Sequence, residues 1–365
     1  MCTSLLYRDA ADRAYLGRTL ELSLELPYQI ALFPQGLALA STVAGHPALG
    51  WETRYGALAV TMPAVPPAPG TTFGPADLKV IEGLNTVGLT FSVQSYPQAG
   101  GPQDPVAADR AALSAVDIGA FVLSQFATVA EVKAALTDLP VVLEPVPILG
   151  GLMVPFHYVV HDQTGASLVI EFHHGVRTIY DNPVGVLTNA PQFAWHLTNL
   201  DNYTFLNNVD RSRATFGSYA ATQPGSGIAK AGLPGTDTSV DRFIRAVFYA
   251  QFAEKQQQPD KAVQMVAHIM NNFDRPRGIT VDPPESGSGH LQVAGHELTT
   301  VPTEFTSWTS LSDLDRRLFF LRDSAGMNYV RFDVGALAST TAFHAAPMAK
   351  LVPPTPDGTA ALTAA

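Results

Sequence analysis

The residue with the most chemistry to offer is the single cysteine of the chain, Cys2, in a sequence that opens Met1-Cys2-Thr3-Ser4. Processing aminopeptidases remove an initiator Met when the next residue is small, so Cys2 is expected to become an N-terminal residue with a thiol and a free α-amine. An α-amine titrates near about 7.7 to 8.0 and a thiol near about 8.5, so near neutrality a proton acceptor stands beside a donor of matched strength. Such a residue combines nucleophile and base and needs no separate histidine. By position alone, Cys2 also reads as an incidental residue on a frayed terminus. Other signals carry less. His173 and His174 are adjacent, so on a strand they point to opposite faces, and no third ligand stands nearby. Gly225-Ser226-Gly227 and Gly287-Ser288-Gly289 lack the Lys-Ser/Thr of a phosphate loop and read as loops. No Gly-x-Ser-x-Gly elbow occurs, which removes the main serine-hydrolase competitor. No metal and no cofactor is implied.

The elements that must position Cys2 come in blocks. From Thr3 to Pro97 the chain is β-rich: Gln29 to Phe33, Leu37 to Val43, Tyr55 to Met62 and Val87 to Tyr96 are apolar or β-branched stretches separated by Gly and Pro. Pro63 to Gly70 and Gln98 to Pro105 read as loops. Ala111 to Gln125 is apolar on one face and predicts a helix, and Thr128 with Glu131 forms a capping box that opens a second helix through Leu136. Ala166 to Phe172 and Val176 to Tyr180 flank His173-His174-Gly175, a hairpin signature, and helices are predicted over Val240 to Glu254 and Asp260 to Asn272. Glu304 to Leu311, Arg317 to Arg322 and Tyr329 to Val334 predict an antiparallel meander. Blocks of strands, helices and strands point to an antiparallel α+β fold with helices on the outer faces of stacked sheets, and against a dinucleotide-binding fold. We read residues 1–334 as one domain, and 335–365 as an Ala- and Pro-rich C-terminal tail that lies over the surface or frays.

Composition narrows the partners. The 365 residues are 46% hydrophobic and 15% charged, with 29 Gly and 28 Pro, which fits a globular protein rich in turns. A net charge of −10 repels a phosphate backbone or anionic membrane on average, so no nucleic-acid partner is expected. The most apolar run, Val141 to Val160, is interrupted by Glu144, His157 and prolines, so no membrane span is expected. Met1-Cys2-Thr3-Ser4 lacks the basic and apolar regions of a signal peptide. A cytoplasmic location is therefore expected, with a periplasmic or secreted one if a signal peptide was trimmed.

Several motifs carry a resemblance: Cys2-Thr3; Gly17-Arg18-Thr19-Leu20-Glu21; Gly83-Leu84-Asn85-Thr86-Val87-Gly88-Leu89; Asp181-Asn182-Pro183-Val184-Gly185-Val186-Leu187-Thr188-Asn189-Ala190-Pro191; and Gly232-Leu233-Pro234-Gly235 with Arg242-Phe243-Ile244-Arg245. Trp195-His196, Asn199-Leu200 and Thr306-Ser307-Trp308-Thr309-Ser310 belong to the same pattern. In this order and spacing, from Cys2 to Val334, the chain resembles the choloylglycine hydrolase and penicillin V acylase family of N-terminal-nucleophile hydrolases. The resemblance implies an αββα four-layer sandwich of two antiparallel sheets between helices, and a homo-oligomer, a tetramer in relatives. It implies that Cys2 attacks an acyl amide to give a thioester that water then hydrolyses.

Carried over residue by residue, Arg18 matches the arginine beside the nucleophile, where a fixed cation favours thiolate. Glu21 stands where the family usually has Asp, placed to hydrogen-bond the α-amine, with a reach one methylene longer. Asn189 matches the side-chain donor to the oxyanion, and the backbone N–H at Ser95, where many relatives have Asn or Tyr, matches the second donor. The alignment at Ser95 can slip by a residue because Thr90 to Pro97 departs from the family pattern. Arg242 matches the second active-site arginine in preference to Arg245. The Trp308 segment, the Pro-rich loops and Ser95 favour penicillin V or an N-acyl homoserine lactone as substrate, with conjugated bile salts as the alternative. An acyltransferase, or a catalytically silent binding protein, is the alternative of another class.

Overall fold

In the computed structural model the described residues are 1–281, 303–353 and 355; Gly287-Ser288-Gly289 lies outside them. The chain begins with β1 (Cys2–Arg8) and β2 (Ala14–Leu22), continues through β3 (Gln29–Phe33), a small hairpin of β4 (Ala38–Ser41) and β5 (Leu49–Glu52), then β6 (Ala57–Pro63), β7 (Leu78–Asn85) and β8 (Thr90–Ser95). Short β9 (Leu113–Ser114) precedes α1 (Ile118–Gln125) and α2 (Val129–Asp138). There follow the short strands β10 (Val141–Val142), β11 (Pro145–Val146) and β12 (Leu152–Met153), then β13 (Phe156–His161), β14 (Ser167–His173), β15 (Val176–Asp181) and β16 (Val186–Leu187). The rest comprises α3 (Phe193–Leu200), an exposed hairpin of β17 (Arg213–Phe216) and β18 (Tyr219–Thr222), α4 (Ser239–Phe252), α5 (Pro259–Met270), β19 (Phe305–Asp313), β20 (Leu318–Asp323), β21 (Val330–Asp333) and β22 (His344–Pro347).

Two large sheets carry the fold: a six-stranded one in the order β16-β1-β2-β19-β20-β21 and an eight-stranded one in the order β15-β14-β13-β8-β7-β6-β3-β22. Every pairing within them is antiparallel. Helices α4 and α5 lie on β1, β2 and β19 of the first sheet, and α1 lies on β7 and β8 of the second, so the layers run α, β, β, α. The expected four-layer sandwich is the observed fold.

Strand register decides which side chains face the partner sheet. Directly opposite residues share a face, and Cys2 pairs with Leu20 while Ser4 pairs with Arg18. Leu5 pairs with Gly17, and a Cβ built on Gly17 meets Met270 and Val266 of α5. Gly17, Thr19 and Glu21 therefore face the helices, whereas Arg18 and Leu20 point with Cys2 between the sheets. Such a Cβ would lie 2.6 Å from the Met270 sulfur and 2.7 Å from Val266 Cγ1. Gly17→Ala is thus expected to cost about 1–3 kcal/mol through overpacking. Denaturant unfolding measures it, and unchanged stability would show that this helix does not hold close to the strand.

Local signals account for several element ends. Thr128 Oγ1 accepts from Glu131 N and the Glu131 carboxylate accepts from Thr128 N, the expected capping box of α2. The β14–β15 turn holds His174 at φ 49° and Gly175 at φ 85°, the left-handed pair of a two-residue hairpin. The predicted helix over Ala111 to Gln125 is only half realised. Leu113 and Ser114 pair with β10 instead, Ser114 N donates to Ser41 Oγ, and Asp117 accepts from Ser41 and Lys79. These long-range polar contacts compete with helical bonding, so the helix starts only at Ile118. Beyond residue 334, β22 adds an edge strand against β3, and Met348 is buried. Helix α3 and the β17–β18 hairpin have no counterpart in the sequence expectations.

Candidate active site

Cys2 begins β1 and is 4% exposed, so the terminus is built into the sheet rather than frayed. Its backbone N donates to Asn189 Oδ1 at 2.9 Å, and Arg18 Nη2 stands 3.7 Å from its sulfur. Arg242 reaches the same residue from α4: Nη1 donates to the Cys2 carbonyl and, at 2.7 Å, to Thr3 Oγ1, while Nη2 donates to Asn189 Oδ1 at 2.8 Å. Arg245, three residues further along the helix, turns instead to Pro234 O, Thr236 O and Asp237.

Asn189 is held from every side. Its N–H donates to Ser239 Oγ at 2.8 Å, its carbonyl accepts from His196 Nε2 at 2.9 Å, and its Nδ2 donates to the Ser95 carbonyl at 2.8 Å. Two donors face Oδ1 and a carbonyl faces Nδ2, which fixes the amide orientation. Burial pushes the His196 imidazole down to about 4, so at neutral pH it is uncharged, and it stacks on Phe243 at 4.6 Å. One residue earlier, His157 Nε2 donates to Thr188 O at 3.0 Å while its Nδ1 faces Glu171 Oε2 at 3.1 Å, and that same oxygen accepts from Phe193 N. A fully buried His–carboxylate pair therefore anchors the loop that presents Asn189.

Ser95 ends β8, opposite Phe156 of β13. The next residue, Tyr96, donates its N–H to Pro155 O at 2.6 Å. Since the antiparallel ladder alternates, the Ser95 N–H points away from β13. Ser95 also lines the cavity at Cys2.

Arg18 is fully buried between the sheets. It donates to the Val93 carbonyl, lies 4.5 Å from the Trp308 ring centroid, and places Nε 3.5 Å from Glu82 Oε2. Glu21 is buried on the helix side, where Oε1 accepts from Thr306 Oγ1 at 3.3 Å and its backbone pairs with Met1. Burial raises the Glu21 carboxyl above its usual range, against the opposing pull of Arg242 and the terminal ammonium. With Met1 in place, Cys2 N is an amide whose single hydrogen goes to Asn189 Oδ1 rather than to Glu21. The Met1 ammonium itself stands 3.6 Å from Glu304 Oε1.

Beside Cys2 lies an apolar cavity of about 40 Å³, lined by Leu20, Leu22, Met62, Ile81, Leu149 and Phe156 among others. A larger cleft of about 820 Å³, of mixed lining with Arg275, Arg277 and Arg322 in its walls, opens next to it, and Leu26 and Tyr28 line both.

A sequence model described as linear amide C-N hydrolases, choloylglycine hydrolase family, matches residues 2–341. The chain belongs to the choloylglycine hydrolase family. A conjugated bile acid hydrolase of Lactobacillus acidophilus is 29% identical over 249 residues, covering 68% of this chain and 74% of the relative. The solved C2A mutant of a conjugated bile acid hydrolase from Clostridium perfringens superposes with a TM-score of 0.77 at 22% identity, covering 97% of this chain and 99% of that one. A penicillin V acylase from Agrobacterium tumefaciens gives 0.71 at 21% identity, covering 95% and 91%. These likenesses in structure carry the fold. Membership of the family makes the chain a linear amide hydrolase.

Within this choloylglycine hydrolase fold, Arg18, Asn189 and Arg242 meet around Cys2, Arg18 at its sulfur and the other two at its backbone, Ser95 joins them through its carbonyl and the cavity wall, and Glu21 lies behind β2, on the opposite face from Arg18. Sequence reading did not single out Glu82, the His157–Glu171 pair or Ser239. Glu82 carried a signal, since it is the one carboxylate in the apolar strand Leu-Lys-Val-Ile-Glu-Gly-Leu-Asn, directly before the Gly83 motif. His157 and Ser239 carried none, because their role depends on what long-range folding sets beside them. No group of His, Cys, Asp and Glu suited to a metal occurs among the described residues, and no described helix is long and apolar enough to cross a membrane.

Proposed function

We propose that the chain hydrolyses the amide bond of a small N-acylated substrate through a Cys2 thioester. With Met1 removed, the α-amine of Cys2 takes the thiol proton as sulfur attacks the acyl carbonyl, and the negative charge develops on the carbonyl oxygen. The second hydrogen of Asn189 Nδ2 and the N–H of Ser95 are the donors to that oxygen. The ammonium returns its proton to the leaving nitrogen and the amine departs. Water, deprotonated by the same amine, then splits the thioester to the carboxylic acid and restores the thiol. Arg18 favours thiolate, and Arg242 holds Cys2 and Asn189 in register. Glu21, buried near the terminal nitrogen and Arg242, steadies the charge of the protonated amine.

The observation that carries this reading is the convergence on one buried cysteine of a fixed guanidinium at its sulfur and an asparagine amide at its nitrogen. The test begins with intact mass and N-terminal sequencing. A mature chain starting at Cys2 is expected, and retention of Met1 in an active protein would remove the amine from the mechanism and overturn it.

For the substrate, the apolar lining beside the sulfur suits an apolar acyl group, as in phenoxyacetyl penicillin or a medium-chain N-acyl homoserine lactone, for which the cavity of about 40 Å³ must widen on binding, with the neighbouring arginine-walled cleft taking the amine portion. Conjugated bile salts are the second reading, favoured by similarity to a named conjugated bile acid hydrolase; a sterol skeleton would require this cavity to widen further than the slimmer acyl groups do. In a panel of penicillin V, a medium-chain N-acyl homoserine lactone and glycocholate, one of the first two is expected to show the highest kcat/KM. Dominant glycocholate turnover would reverse the ranking. Product analysis with added amine separates hydrolysis from acyl transfer.

A further inference from the structure

Glu82 and Arg18 form a fully buried ion pair directly behind the reacting sulfur. Each side chain has no exposed surface, and the guanidinium that stands 3.7 Å from Cys2 Sγ places its Nε 3.5 Å from Glu82 Oε2. Glu82 sits on β7 of the eight-stranded sheet while Arg18 sits on β2 of the other, so the contact crosses the interface between the sheets. Glu82 does not line the cavity at Cys2, so it is placed to act on the arginine and not on a substrate. A lone buried guanidinium would be strongly unfavourable, and a carboxylate opposite it is the usual compensation.

We propose that Glu82 is a positioning residue for this site: its carboxylate holds Arg18 and offsets its charge, so the fraction of Cys2 present as thiolate is set by the pair and not by Arg18 alone. The groups facing the pair are few. They are Cys2 from β1, the uncharged hydroxyl of Ser92 from β8, the Trp308 ring from β19 and, ahead of β3, Tyr28, whose phenol burial keeps protonated. Burial pushes the Glu82 carboxyl up to about 7 against the opposing pull of Arg18. Below that pH the carboxyl is neutral and Arg18 acts on the sulfur undiminished; above it the carboxylate offsets the cation.

This inference rests on the placement of Arg18 in the Cys2 site, but its test does not require turnover. Cys2 is the single cysteine, so the iodoacetamide alkylation rate of the full chain reports its thiolate directly. Glu82→Gln leaves Arg18 without an offset at any pH and is expected to speed alkylation on the order of tenfold at pH 8, where wild type carries the carboxylate, with little change well below pH 7, where the wild-type carboxyl is already neutral. Glu82→Asp is expected to return it toward wild type, and in an Arg18→Gln background the Glu82→Gln effect is expected to vanish. The same profile with and without the carboxylate, in folded proteins, would overturn the proposal. So would an undiminished effect in the Arg18→Gln background, which would make Glu82 act on sulfur without the arginine. Wild type gives an independent check free of folding defects: its alkylation is expected to rise less steeply through pH 7 than a single ionisation, and a simple one-step profile would count against the pair. Failure of the nucleophile reading looks different, since it appears as turnover that survives loss of Cys2.

Discussion

Cys2→Ala is expected to lower kcat/KM on the order of 10,000-fold or more, with the fold intact. The reason is specific to this site. The remaining groups around the scissile carbonyl are an amide, backbone N–H groups and guanidinium cations, none of which can form the covalent intermediate at neutral pH. Alanine also permits Met removal, so the terminal amine survives, and the variant separates the thiol from the base. The structural cost is small, because alanine removes one sulfur atom while the backbone bonds of β1 and the Asn189 contact remain; about 1 kcal/mol is expected from the lost buried surface. Cys2→Ser keeps the shape but offers a far weaker acid, so its turnover is expected to be severely reduced as well. Steady-state assays on the preferred substrate, with circular dichroism as the fold control, measure this. Full activity in a purified Cys2→Ala protein would leave the thioester mechanism without its nucleophile.

Asn189→Ala should lower kcat by about 100- to 1000-fold, the scale of one lost oxyanion donor, with a smaller change in KM. It should also destabilise the protein, because Arg242 Nη2 and the Ser95 carbonyl each lose a buried partner, at about 1–3 kcal/mol for such a group. The aspartate variant divides these effects. Asn189→Asp keeps an oxygen facing Arg242 and Cys2 N but replaces the donor with an acceptor, so stability is expected to suffer less than in the alanine variant while kcat falls at least as far. Urea unfolding read alongside pre-steady-state acylation separates the two. Wild-type acylation in Asn189→Asp would show that the amide is scaffolding for Arg242 and has no part in holding the oxyanion.

How far the site was legible differs from residue to residue. Arg242 and Arg245 are both buried and one helical turn apart, and only the angle at which α4 meets β1 sends Arg242 to Cys2 and Arg245 to Asp237. Arg18 and Glu21 sit three apart on a strand, which already places them on opposite faces. Their shared motif suggested a common role at the nucleophile, but β2 separates them, with Arg18 at the sulfur and Glu21 on the helix side. Among the elements, α2, α4, α5 and the β14–β15 hairpin were readable because caps, periodicity and turn residues act within a few positions. Helix α3 was not, since its first residue takes its N–H partner from Glu171, far away in sequence, and its cap residue Gln192 makes no side-chain cap.

By itself the sequence determined the alternation of strand and helix blocks, the single thiol at the second position and the short-range turns and caps, all of which depend on neighbours along the chain. Only the tertiary structure decided that Cys2, Asn189 and Arg242 share a hydrogen-bonded cluster, that Glu82 lies behind Arg18, and that the stretch after residue 334 contributes an edge strand. Those outcomes depend on sheet order and inter-sheet register. Register is fixed by burying side chains drawn from distant segments, and no local pattern specifies which buried polar groups will meet.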